Sequence, residues 1–227
     1  GMTAAKSLAS QGYTTHIVET GDRLGGNAHN IYKTTSGDLV SVKLAALVDS
    51  ITGSDNIKVH LNTRLSSVEG FVGNFKSTLK NGDSESELEY GVAVIATGGT
   101  ALKPDEYSYG KDPRILTSLE LDQKLIAGDP ALKKMKSAVF IQCVGSREPD
   151  RLYCSRVCCT HSIDNALELK KLNPDMDVYV LYRDIRTYGE REYLYKKARQ
   201  AGVIFIRYDL QNKPTLTAGD DGVRILA

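Results

Sequence analysis

SAVFIQCVGSREPDRLYCSRVCCTHSIDNALELKKLNPDMDVYVLYR, residues 137–183, reads in turn as strand, polar loop, helix and strand. The apolar run SAVFIQCV leads to Cys143, the loop SREPDRLY follows, SRVCCTHSIDNALELKKL has helical spacing, and DVYVLYR is strand-like again. A strand that feeds a helix and returns as a strand is a βαβ unit, and such units build parallel, doubly wound sheets covered on both faces. Downstream, EREYLYKKARQAG (190–202) and VIFIRYD (203–209) extend the pattern by a helix and a strand; TSLELDQKLIA (117–127) precedes it as a helix. Upstream, MTAAKSLASQ reads as a helix with a small-residue face, YTTHIVE as a strand ending in Glu19, and DLVSVKLAALVDSIT as a helix. KVHL and RLSSVEGFVGNFKSTLK read as successive strands with a turn at Asn81-Gly82, and GVAVIATGG (91–99) as a buried strand running into glycines. The fold class is therefore α/β with a small antiparallel meander. Pro, Gly and Tyr interrupt the periodicity in KPDEYSYGKDPR (103–114), which divides the chain into a first domain over 1–115 and a second over 116–227.

Composition narrows the function classes. At 227 residues, 41% of them apolar, the chain can bury a core sufficient for one large or two small domains. Lys plus Arg number 29 against 28 Asp plus Glu, so no overall field draws the chain to nucleic acid or to anionic lipid. No apolar run approaches the roughly 20 residues of a membrane span, and the N-terminus has no secretory hydrophobic region. Clustered cysteines without a disulfide framework fit a reducing compartment, the cytoplasm.

All four cysteines, Cys143, Cys154, Cys158 and Cys159, lie within this one stretch. Four thiolates brought together can supply the full ligand set of one iron–sulfur cluster or one zinc ion. The spacing C-x10-C-x3-C-C matches neither a ferredoxin run nor paired zinc knuckles, so buried or redox thiols stand as alternatives. On a helix, positions 154 and 158 lie one turn apart on one face, and a helix start with Arg147, Arg151 and Arg156 nearby favours thiolates. His161 reads as a helix cap or a solvated side chain rather than a ligand, and Arg183, Arg186 and Tyr188 as a solvated loop.

The first half carries signs of a dinucleotide site. Such a site needs a strand, a glycine turn, a helix whose N-terminus faces the pyrophosphate, and an acid about 20 residues on for the ribose hydroxyls. Gly1 directly precedes a helix and Glu19 ends the next strand; Gly25, Gly26 and Asn27, with Ala96, Thr97 and Gly98, add two further glycine turns. In this order, within two Rossmann-like parallel-sheet domains, they point to an FAD site.

The segments LGGNA, VEGFVGNF, VIATGG, FIQCVGSRE, YCSRVCCTHSI and NPDMDVYVLYRDIRTYG together resemble the flavin-containing A-subunit family of heterodisulfide reductase, built on a thioredoxin- or glutathione-reductase-like framework. The resemblance covers nearly the whole chain. It implies FAD in the first domain, a 4Fe–4S cluster on Cys143, Cys154, Cys158 and Cys159, electron transfer between them without a catalytic side chain, and association with other subunits of a redox complex. Against the family pattern, the strand and glycines before Gly1 and the closing segment after Ala227 are absent, so the chain reads as part of a longer subunit in which either cofactor may be missing. CVGSRE stands where a pyridine-nucleotide enzyme places G-x-G-x-x-G, which argues against NAD(P)H there. Asp164 occupies a position where relatives carry lysine, and an anion there disfavours a reduced, anionic flavin. A cofactor-free docking module with zinc or free thiols, and an NAD(P)H-dependent disulfide reductase, are the competing readings.

Overall fold

The computed structural model describes residues 1–227. They form two compact units, one of residues 1–31 and 38–100, the other of 32–37 and 101–227.

The first unit runs α1 (Met2–Ser10), β1 (Thr15–Val18), α2 (Val40–Thr52), β2 (Ile57–His60), β3 (Arg64–Phe71), β4 (Asn74–Asn81) and β5 (Ser84–Tyr90). β1 and β2 pair in parallel, Thr15 opposite Ile57 and Val18 opposite His60. The small face of α1 lets the helix approach closely, burying Ala5 and Ala9 against Leu24, Ile51 and Ile57. β3, β4 and β5 form the antiparallel meander, turning at Gly73 and Gly82, both with positive φ. Within β3, Gly70 has φ +93°, and a Cβ there would meet the Asn74 carbonyl oxygen at 2.1 Å.

The segment GVAVIATGG forms no strand. Val92, Val94 and Ile95 are 72%, 59% and 88% exposed, contrary to the buried strand expected from their apolar run. Such a run becomes a central strand only where neighbouring strands offer unpaired N–H and C=O groups. Here 92–97 lies outside every ladder, β1 and β2 pairing only with each other.

The second unit runs α3 (Ser118–Ile126), α4 (Ala131–Lys134), β6 (Ser137–Ile141), α5 (Cys158–Leu172), β7 (Asp177–Tyr182), α6 (Glu192–Gln200), β8 (Ile204–Arg207), β9 (Thr215–Gly219) and β10 (Gly222–Leu226). β6, β7 and β8 make a parallel sheet in that order, with Ser137 opposite Asp177 and Tyr179 opposite Ile204. The apolar positions of α5 recur at helical spacing, and Ile163, Ala166 and Leu169 pack with Val178 and Val180 of β7, Leu121 and Leu125 of α3, and Leu194 of α6. Full burial of each large aliphatic side chain contributes about 1.5–3 kcal/mol. A capping box starts α3: Glu120 N–H donates to Thr117 Oγ1 at 3.3 Å, and Thr117 N–H donates to Glu120 Oε2 at 2.7 Å.

Two details depart from the sequence reading. α5 begins at Cys158 instead of Ser155, because Arg156 stands at φ +63° and breaks the helical path before it. Cys154 therefore lies on the loop, and the one-turn relation to Cys158 does not apply. The hairpin β9–β10, pairing Thr215 with Leu226, was not apparent in the alternation upstream.

A short strap, Tyr32–Gly37, groups with the second unit although the residues on both sides of it belong to the first. Tyr32 packs against the α3–α5 core and its N–H donates to Asp122 Oδ2 at 3.2 Å. Lys33 Nζ reaches Glu168 Oε2 at 2.8 Å, and Tyr193 Oη donates to the Thr35 carbonyl at 3.2 Å.

Candidate functional site

In the first unit the candidate dinucleotide residues come from four places in the chain. Gly1 precedes α1, whose first turn has neither a side-chain cap nor an acidic residue, so its N–H groups keep their positive end uncompensated. A Cβ on Gly1 would lie 3.6 Å from Ala96 Cβ, which sets Ala96 beside this helix start. Asn27 Nδ2 donates to the Gly99 carbonyl at 2.7 Å, tying the first glycine turn to the second. Gly25 has φ +120°, and a Cβ there would stand 2.7 Å from His29 Nε2, so the turn requires glycine. Gly26 and Gly98, also with positive φ, open onto empty space. Thr97 sits exposed between Ala96 and Gly98. Glu19 follows β1, and its Oε1 accepts the Gly21 N–H at 2.7 Å. Bare backbone at two linked turns beside a helix N-terminus, with a carboxylate at the end of the next strand, is the donor set that suits a dinucleotide.

The four cysteines occupy the crossover from β6 to α5. No disulfide joins them. Cys143, just past β6, has φ +63°, Arg147 φ +59° and Arg156 φ +63°, so three non-glycine residues of this crossover hold a left-handed backbone. Cys143 Sγ accepts from Arg147 Nη1 at 3.7 Å, Cys154 Sγ from the Arg156 N–H at 3.4 Å, and Cys158 Sγ from Ser155 Oγ at 3.6 Å. Cys159 is buried, and its thiol points to the Asp184 carbonyl at 3.6 Å. Hydrogen bonding from Cys159 pulls the Cys158 thiol down to about 5, whereas the same contact, with burial, pushes Cys159 up. The contact thus favours the charged form of Cys158 and the neutral form of Cys159. The thiols of Cys158 and Cys159 meet. No three ligating side chains are gathered closely enough to hold a metal ion. The donor chemistry suits iron; the four sulfurs as they stand do not form one ligand set.

Several neighbours have other roles than the sequence suggested. Arg183 is buried and structural, its Nη1 donating to the Arg147 carbonyl at 2.8 Å and its Nη2 to the Ser146 carbonyl at 2.6 Å. It clamps the cysteine crossover to the end of β7. Neither cap nor solvated, His161 bonds through Nε2 to Asp122 Oδ2 at 2.8 Å. Asp164 on α5 is half-buried; desolvation pushes its carboxyl up to about 6, against the pull of His161, Lys171 and Arg191. His16 and His60, far apart in sequence, stack on adjacent strands with Nδ1 and Nε2 2.9 Å apart.

With that geometry in place, the comparisons with known proteins are specific. Residues 1–55 match the NAD(P)-binding Rossmann-like domain family. An iron–sulfur A-subunit (form 1) of CoB–CoM heterodisulfide reductase from Methanopyrus kandleri is 26% identical over an alignment covering 91% of this chain and 46% of its own. The corresponding A-subunit of the H2:CoB–CoM heterodisulfide,ferredoxin reductase from Methanothermobacter marburgensis is 40% identical over 54% of this chain and 21% of its own. This chain thus spans about half the length, or less, of these curated relatives. Among solved structures, the flavoprotein disulfide reductase of Escherichia coli has a TM-score of 0.55 at 12% identity, covering 100% of this chain and 50% of that one. The bacillithiol disulfide reductase of Bacillus cereus has a TM-score of 0.52 at 16% identity, covering 99% and 71%. These structural likenesses establish the α/β fold of the disulfide oxidoreductases. No helix is long and apolar enough to cross a membrane. Over the length it shares with them, the chain is a homologue of the A-subunits of CoB–CoM heterodisulfide reductase, which are oxidoreductase components.

Proposed function

We propose that the chain is the flavin- and cluster-bearing part of an electron-transfer subunit in a heterodisulfide-reductase-like complex of the cytoplasm. The observation that carries the reading is the β6–α5 crossover, which concentrates every cysteine of the chain on a backbone bent through three left-handed non-glycine residues and clamped by buried Arg183. Strained backbone held by its surroundings clusters at functional sites. The relatives support the same assignment, since one of them is named as an iron–sulfur component of the reductase.

In this reading the α1 N-terminus with Gly1 faces the FAD pyrophosphate, and Glu19 faces ribose hydroxyls. Gly25, Gly26, Asn27, Ala96, Thr97 and Gly98 let the cofactor approach the backbone. Cys143, Cys154, Cys158 and Cys159 are the ligands of a 4Fe–4S cluster. When bound, the flavin supplies paired-electron chemistry and the cluster single-electron chemistry. The protein's part is positional and electrostatic: Arg147 and Ser155 donate to sulfurs, the Cys158–Cys159 pair already favours one thiolate, and Arg183 fixes the loop. The partners are the other subunits, and NAD(P)H has no place in the proposal because CVGSRE follows β6.

A docking module with zinc or free thiols is the second reading, favoured by the ungathered sulfurs. Anaerobic reconstitution with iron, sulfide and FAD separates the two, using this chain and a version extended at both ends. Flavin and cluster absorption with about four irons per chain, lost in Cys154→Ser or Cys158→Ser, is expected. A colourless extended protein without iron would overturn the electron-transfer reading.

A further inference from the structure

The parallel sheet of the second unit has the order β6, β7, β8, so β8 is its outermost strand. Successive residues of a strand turn their N–H and C=O groups to opposite edges. Tyr208 N–H donates to the Tyr182 carbonyl at 2.9 Å, so Ile204 and Ile206, in step with it, face β7, and the backbone groups of Phe205 and Arg207 point outward. No other backbone or side-chain group bonds them. Edge strands are commonly guarded by proline, lysine or a bulge. The run Ile204, Phe205, Ile206 has none of these, and its two isoleucines are 45% and 37% exposed.

Beside this edge, where α6 ends and β8 begins, lies a cavity of about 390 Å3. Tyr182, Tyr195 and Phe205 wall it, Phe205 meeting the two tyrosine rings edge-on at centroid separations of 6.3 and 4.7 Å. Arg199 lines it as well, its Nη1 donating to Tyr195 Oη at 3.3 Å. The charges around the cavity are of one sign. No carboxylate pairs with Lys196, Lys197 or Arg199 in the second half of α6, and Arg207, its side chain 74% exposed, has only Asp184 at 3.9 Å. An open sheet edge supplies main-chain hydrogen bonds to an extended chain, and a pocket alongside it selects among that chain's alternate side chains.

We infer that β8 accepts an extended, acidic segment of a partner polypeptide as an added strand, which pairs with Phe205 and Arg207, seats an aromatic or branched aliphatic side chain in the cavity and sets a carboxylate on Arg199. A second copy of this chain does not suit the edge, because β8 against β8 would bring Arg199 and Arg207 of one copy towards those of the other. The surface belongs to the second unit alone, and its test needs neither flavin nor iron.

The experiment is fluorescence anisotropy of a fluorescein-labelled peptide, DEVYVEVDE, titrated with the chain at low ionic strength. Saturable binding with a Kd of about 100 μM or tighter is expected, and the charge-reversed peptide KKVYVKVKK should bind about tenfold more weakly or worse. In amide hydrogen exchange followed by NMR, saturating peptide should slow the outward N–H groups of Phe205 and Arg207 about tenfold or more, and those of Ile204 and Ile206, already bonded to β7, by less. The double variant Arg199→Gln, Arg207→Gln should weaken binding about tenfold or more. The double variant Lys133→Gln, Lys134→Gln on α4 removes the same charge elsewhere and should bind as the parent does. Circular dichroism matching the parent confirms that each variant is folded. No saturation up to about 1 mM chain, unchanged exchange at Phe205 and Arg207, equal weakening by the lysine variant, or self-association of the chain through this edge in sedimentation without peptide would overturn the site.

Discussion

Replacing Asp164 by Asn should stabilise the protein at alkaline pH and leave it unchanged in acid. Burial on α5 pushes the Asp164 carboxyl up to about 6, against an ordinary value near 3.9. The folded state therefore holds this proton more tightly than the unfolded chain. Between about pH 4 and pH 6 the folded state binds more protons, so stability falls as pH rises through that window and is level above it. A shift of about two units corresponds to an upper bound of about 3 kcal/mol. Asp164 is only half-buried, and solvent screening reduces the figure to about 1–2 kcal/mol. Asn has nearly the shape of the protonated acid and cannot ionise. Urea unfolding followed by circular dichroism should place the Asp164→Asn variant about 1–2 kcal/mol above the parent at pH 8 and level with it near pH 4. An equal difference at both pH values, or a variant less stable at pH 8, would refute the desolvation argument.

Three further outcomes are expected. Ile163→Ala empties a fully buried position between α5 and the sheet and should cost about 2–5 kcal/mol, read as a lower denaturation midpoint. Thr117→Ala removes one half of the α3 capping box and should cost about 1 kcal/mol; a Thr117→Ser variant retains the hydroxyl and should recover most of it. Gly70→Ala drives a Cβ into the Asn74 carbonyl and forces a positive φ on a β-carbon residue, for at least about 1–2 kcal/mol, with hydrogen exchange accelerated in the β3–β5 meander.

The parallel sheet of the second unit was legible in the sequence because β6, α5 and β7 each carry a clean apolar period, and the core residues Ile163, Ala166, Val178 and Val180 are those that the pattern marks. GVAVIATGG failed for a different reason: hydrophobicity states that a segment can be buried, while strand formation depends on a neighbour that local sequence cannot supply. The start of α5 was misplaced because nothing in the letters SRV reports that Arg156 adopts a left-handed conformation. The candidate cysteines were visible through their clustering, and the linked glycine turns through their composition. The Asn27–Gly99 bond and the arginine clamp on the crossover were not, since each joins side chain and backbone across 36 or more positions.

The strap at Tyr32–Gly37 bears on how this protein can be cut. A boundary drawn between Thr100 and Ala101 looks like the natural place to separate the two units, yet the chain passes between them three times. An excised piece of residues 101–227 would carry a surface gap where Tyr32 packs, a Glu168 stripped of Lys33, and an Asp122 left with His161 as its remaining partner. The second unit is thus discontinuous in sequence, and a soluble version of it calls for the six strap residues to be grafted back.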